Sequence, residues 1–124
     1  MINKKVYVVD DDEIALYLTE MSLKQASNQL DISSFISSVE LLNKFKGMTI
    51  EQPDILIVDI NMPVVTGFEL IRALVDLPNF NTSMKIYIQS SSIRQTDLDY
   101  VSQSKHINRH YEKFMTVDHI KNIL

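Results

Sequence analysis

The residues able to do chemistry in this chain fall where apolar runs stop. VYVV at 6–9 leads into Asp10, Asp11, Asp12 and Glu13, and ILIV at 55–58 leads into Asp59. KIYI at 85–88 leads through Gln89 into Ser90, Ser91 and Ser92, and INRHY at 107–111 is followed within two residues by Lys113. Carboxylates converging from two segments repel each other unless a cation neutralises them. An oxygen-only set without His or Cys suits Mg²⁺, with Mn²⁺ as the alternative. Mg²⁺ normally keeps waters and shares its shell with phosphate, so a site with few protein carboxylates points to phosphoryl chemistry rather than metal storage. A lysine and a hydroxyl on the same rim would hold the remaining phosphoryl oxygens.

Those residues need a frame that brings them to one side. Besides KVYVV at 5–9, ILIV and KIYI, which read as strands buried on both faces, the more polar runs ISSFI at 32–36 and INRHY read as strands nearer a sheet edge. Between them the apolar spacing turns helical. Ile14, Leu18, Met21 and Leu23, with Gln25, suggest a first helix over 14–25, and Val39, Leu42 and Phe45 a second. Phe68, Leu70, Ile71, Leu74 and Val75 suggest a third, Tyr100 and Val101 lie in a polar fourth from about 95 to 103, and 117–124 forms a short fifth. LPNFNTSM at 77–84 is a turn-forming connection, and no linker or repeat divides the chain. The order βαβαβαβαβα requires right-handed crossovers. The expected fold is therefore a single-domain α/β architecture, a doubly wound five-stranded parallel sheet with helices on both faces. Such sheets bind ligands beyond the carboxyl ends of their strands, where strand order reverses.

Composition narrows the function. A chain of 124 residues with 45% hydrophobic and 23% charged residues has the length and make-up of one globular domain. A formal charge of −4, with Lys4-Lys5 as the nearest approach to a basic patch, disfavours direct nucleic-acid binding. Cysteine is absent, which excludes disulfides, thiolate metal sites and thiol catalysis and fits a reducing compartment. No apolar run is long enough to span a membrane and no signal peptide opens the chain, so the expected location is cytoplasmic. Gly47 and Gly67 are the only glycines, which rules out P-loop and dinucleotide fingerprints, and the EF-hand pattern fails as well.

Each candidate has a plain structural reading beside the chemical one. Asp12 and Glu13 suit the N-terminus of the first helix whatever the function. Three adjacent serines could simply cap the fourth helix, Lys113 alone could be solvated, and Gly67 is expected to serve a tight turn. Asp59 is different, because a carboxylate beyond an apolar run is costly to bury without a partner. His106, His110 and His119 have no metal-ligand spacing and are given no catalytic role.

Taken together, Asp10-Asp11, the segment DINMPVVTG at 59–67, Ser90 and Lys113 resemble the receiver domain of two-component response regulators, in the family's order over essentially the whole chain, 1–124. The resemblance implies the flavodoxin-like receiver fold. It also implies Asp59 as phosphoacceptor, Asp10 and Asp11 as the acidic pair holding Mg²⁺, and Asn61 as a metal ligand through its backbone carbonyl. Ser90 and Lys113 would contact the phosphoryl group. The implied donor is a sensor histidine kinase or histidine phosphotransfer protein. The implied output is a downstream effector protein bound through the helix 4, strand 5 and helix 5 face, with no direct nucleic acid and no membrane. Such a domain catalyses its own phosphorylation and dephosphorylation and turns over no separate substrate. Two positions depart from the family pattern. Phe114 stands where proline usually follows the lysine, so this peptide is expected either to be trans or to carry strain, a non-proline cis bond costing about 3 kcal/mol. His110 stands where a switch aromatic is usual. The alternatives are a degenerate receiver acting as a constitutive interaction module, the receiver portion of a longer regulator or hybrid kinase, and a metal-dependent phosphatase with an Asp nucleophile. Asn61 in place of a second Asp speaks against the last.

Overall fold

The computed structural model describes residues 3–47 and 52–124. Strands and helices alternate along it: β1 Lys4–Val9, α1 Glu13–Ala26, β2 Leu30–Phe35, α2 Ser38–Lys46, β3 Ile55–Val58, α3 Gly67–Val75, β4 Lys85–Ser90, α4 Gln95–Gln103, β5 Ile107–Glu112 and α5 Val117–Ile123. All strand pairs are parallel, in the order β2-β1-β3-β4-β5. The two polar strands are the edges, as their composition predicts, and the continuous apolar runs lie in the middle.

Alternation along the central strands explains why those runs are apolar throughout. Tyr7, Val9, Leu56, Val58, Ile86 and Ile88 pack on one face against Leu41 and Phe45 of α2 and Leu70, Ile71 and Leu74 of α3. Val6, Val8, Ile55, Ile57 and Tyr87 pack on the other against Leu16 and Leu23 of α1 and Ile120 and Ile123 of α5. A strand with a helix layer on each side has no solvent face on which to place a polar residue. At the strand-start pole of the sheet, Lys4 donates from Nζ to the backbone carbonyl of Leu124, tying the first strand to the end of the last helix.

One helix face differs from its sequence reading. The first helix is where its periodicity puts it, but the residues it buries are Ala15, Leu16, Thr19 and Leu23. Ile14, Leu18 and Met21 instead face solvent, 71%, 38% and 40% exposed, as does Tyr17 at 61%. Two apolar sets share this helix at nearly the same spacing, and the buried one is partly disguised by a small residue, Ala15, and a polar one, Thr19. Thr19 satisfies its hydroxyl in the core by accepting a hydrogen bond from Gln89 Nε2 at 3.0 Å. No helix among the described residues is long and apolar enough to cross a membrane.

Candidate functional site

Strand order reverses between β1 and β3, and Asp10 and Asp59 are the first residues beyond those two strands. Backbone bonding carries the ladder one step past the strands: Asp10 N–H donates to the Phe35 carbonyl at 3.0 Å and Asp59 N–H to the Val9 carbonyl at 3.1 Å. The sheet thereby fixes both backbones before any side-chain contact is made. Asp10 and Asp59 are buried, whereas Asp11 is exposed. One oxygen from each of the three lies within 4.8 Å of the others. This oxygen-only set, open to solvent on one side, fits a hard divalent cation that retains water. Asp12 is outside it: its side chain accepts from Ile14 N–H at 2.9 Å as the N-cap of α1.

Lys113 reaches the same point from the far side of the sheet. Its Nζ is 2.7 Å from Asp10 Oδ2 and 3.2 Å from Asp59 Oδ2. Its backbone N–H donates to the Ser90 carbonyl at 3.1 Å, which ties the loop after β5 to the end of β4. Burial lifts the Asp10 carboxyl above the usual carboxylate range, and the charge on Asp59 adds to the lift, against hydrogen bonds from Lys113 and the Asp12 N–H. Burial on its own would lower Lys113, but the bond to Asp10 and the charges on Asp59 and Asp10 outweigh it and hold the ammonium above its ordinary value. One ammonium contacts two of the three clustered carboxylates. The remaining negative charge is what a divalent cation would neutralise. The Lys113–Phe114 peptide is cis, and Phe114 is 43% exposed.

Asn61 and Ser90 form the rest of the pocket wall. The Asn61 N–H donates to Asp59 Oδ1 at 3.1 Å, while its carboxamide Nδ2 donates to Ser90 Oγ at 2.8 Å and to the Ser92 carbonyl at 3.0 Å. Ser90 is fully buried, and its hydroxyl donates to the Ser92 carbonyl at 2.9 Å. The serines do not cap α4: Arg94 is its N-cap, and Asp97 Oδ2 accepts from the Arg94 N–H at 3.1 Å. The sequence points to Asn61 through its backbone carbonyl and through the lack of a second carboxylate at that position, but not to these side-chain bonds. The available signal was an amide two residues past Asp59 on a loop facing a serine-bearing strand end.

Gly67 is needed for a reason other than the tight turn expected from the sequence. It has no positive φ; instead, a Cβ there would lie 2.5 Å from the Asp59 carbonyl oxygen and 2.6 Å from Ile60 Cα. The start of α3 is pressed against the backbone of Asp59, and only a residue without a side chain permits it. Between them, Val64 has φ 67°, and the Val65 N–H donates to the Pro63 carbonyl at 2.7 Å, so Val64 centres a γ-turn. Ser38 of α2 braces this turn by donating from Oγ to the Val65 carbonyl at 2.9 Å. His110, on β5, is half-buried, and its Nε2 is enclosed with no hydrogen-bond partner among the described residues. Burial holds its pKa below the ordinary value, with Glu112 pulling weakly the other way.

Comparison with known proteins gives a consistent picture. A family model described as response regulator receiver domain matches residues 6–123. The protein-glutamate methylesterase/protein-glutamine glutaminase of Clostridium acetobutylicum is 34% identical over 103 residues, 80% of this chain but 27% of that protein, so this chain spans about a quarter of that relative's length. Sporulation initiation phosphotransferase F of Bacillus subtilis is 22% identical over 125 residues, covering 98% of this chain and 91% of that protein. The crystal structure of a two-component response regulator from Cytophaga hutchinsonii superposes with a TM-score of 0.85 at 23% identity, over 99% of this chain and 95% of that one.

Proposed function

Because the chain belongs to the response regulator receiver family, we propose that residues 1–124 act as one phosphorylatable switch. Asp59 accepts a phosphoryl group from a histidine kinase or histidine phosphotransfer protein. The observation that carries this reading is the setting of Asp59: a buried carboxylate with one oxygen on the Asn61 N–H and the other on Lys113, inside an acidic cluster. A carboxylate oxygen of Asp59 attacks the phosphorus in line, the P–N bond to the donor imidazole breaks, and the imidazole leaves with the electron pair and takes up a proton. Lys113 neutralises charge on the transferring oxygens, and the Ser90 hydroxyl is the nearby donor for another. Asp10, Asp11, Asp59 and the Asn61 carbonyl would hold Mg²⁺, which when bound supplies charge neutralisation on the phosphoryl oxygens.

The same reading proposes two partner faces. Ile14, Tyr17, Leu18 and Met21 form an apolar stripe on α1 that begins just beyond the acidic cluster, and a donor that brings its phosphoimidazole to Asp59 would cover it. The effector is assigned to the face formed by α4, β5 and α5. The reading places the protein in the cytoplasm, in keeping with a chain that has no cysteine. The direct test is intact mass after incubation with Mg²⁺ and acetyl phosphate. One phosphoryl group is expected per chain, lost with EDTA and absent in Asp59→Asn. Turnover of the phosphodonor in large excess, without a protein adduct, would instead mark an enzyme acting on small molecules. No adduct and no Mg²⁺ binding would mark a constitutive interaction module.

A further inference from the structure

We infer that Gln89 is a positioning residue for Lys113: its buried carboxamide holds the backbone just beyond the lysine, at Met115, and so sets where the ammonium stands beside Asp59. The inference rests on the reading of Asp59 as phosphoacceptor.

Side chains two apart along a strand share a face, so Gln89 follows Tyr87 into the layer that α1 and α5 cover. There Gln89 Oε1 accepts from the Met115 N–H at 2.7 Å, and Nε2 donates to Thr19 Oγ1 of α1 at 3.0 Å. The carboxamide sits only one way round, because a backbone N–H can only donate and must meet the oxygen. Gln89, Thr19 and Met115 are each 2% exposed, which leaves bulk water no access to replace either bond. A polar side chain in an apolar layer is costly unless it is hydrogen-bonded. An apolar side chain of the same length would fill the space without that cost, so what the amide alone supplies is an acceptor for Met115.

Met115 belongs to the segment that carries the lysine. Lys113 follows the edge strand β5, and its Nζ reaches past the end of β4 to Asp10 at 2.7 Å and Asp59 at 3.2 Å. A long flexible side chain holds one such geometry only if its backbone is fixed. Two bonds from consecutive residues of β4 fix it. The Ser90 carbonyl accepts from the Lys113 N–H at 3.1 Å, and the Gln89 side chain accepts from the Met115 N–H. Without the second, a buried N–H is left unpaired, and the segment shifts to satisfy it, taking Lys113 along. Stabilisation of charge on a transferring phosphoryl group falls steeply with such misplacement. Thr19 acts one step further back, by orienting the amide.

A double-mutant cycle tests this, with phosphoryl uptake from acetyl phosphate and Mg²⁺ followed as intact mass against time. Gln89→Met, which keeps the length and removes the oxygen acceptor, is expected to slow uptake about tenfold. In a Lys113→Ala background the same substitution is expected to change nothing further, because the group it positions is gone. Equal fold losses with and without the lysine would make the amide structural only and overturn the inference, as would uptake at the wild-type rate in Gln89→Met or in Lys113→Ala. If Gln89→Met does not fold, Thr19→Val decides by the same cycle: slowing confined to the chain with Lys113 supports the inference, and no slowing or equal slowing overturns it. Uptake by Asp59→Asn, or none by wild type, is a separate failure, that of the phosphoacceptor reading, and takes the inference with it.

Discussion

His110 shows how one side chain can tune this fold. Its Nε2 is enclosed without a hydrogen-bond partner among the described residues and burial depresses its pKa, so the fold favours the neutral ring. A base with a depressed folded pKa adds stability that is present above its unfolded value, near 6.5, and lost as pH falls through that value toward the folded one. His110→Phe, which removes both the orphan nitrogen and the titration, is expected to stabilise the protein by about 1 kcal/mol and to flatten its denaturation midpoints between about pH 7.5 and 5.5. A wild-type midpoint already flat over that range would contradict the assignment. The residues of the site divide in the same way between legible and hidden. Asp10, Asp11, Asp59 and Lys113 could be picked out because each stands just beyond a strand, and strand ends are readable from apolar runs. The Asn61 amide bonds, the orphan nitrogen of His110 and the contact of Gly67 with Asp59 depend on how loops approach one another, which spacing along the chain does not encode.

At the scale of elements, α1 is the informative case. Its existence was readable from period alone and its orientation was not, because Ile14, Tyr17, Leu18 and Met21 mimic a core stripe as well as Ala15, Leu16, Thr19 and Leu23 do. In the structure it is Leu16 and Leu23 that pack in one cluster with Val6, Val8, Ile55 and Ile57 of the sheet. The assignment is checked by paired truncations read in denaturant. Leu16→Ala is expected to cost about 2–5 kcal/mol, and Leu18→Ala, with a partly exposed side chain, about 1 kcal/mol or less. Equal losses would mean that the helix is turned the other way. Strands were easier, because the polar edges and apolar centre follow directly from whether a helix layer covers one face or both.

For the molecule as a whole, the site is a place where stability has been given up. The sheet brings buried Asp10 and Asp59 together with exposed Asp11, and a single ammonium does not balance them. Mg²⁺ is therefore expected to stabilise the native state by mass action, by about 2.7 kcal/mol at a hundred times its dissociation constant. Thermal melts of wild type should move upward with added Mg²⁺, and those of Asp11→Asn should move much less. A melting temperature unmoved by Mg²⁺ in wild type would remove the metal from the account. The parallel order β2-β1-β3-β4-β5 also sets the poles of the molecule, with strand starts at one end and the carboxylate rim about 20 Å away at the other. The Lys4 to Leu124 bond lies at the first of these poles. A molecule attached to a sensor surface or labelled with a reporter at either of these residues would thus point its reactive rim outward, so attachment at Lys4 or at Leu124 should give the same binding signal.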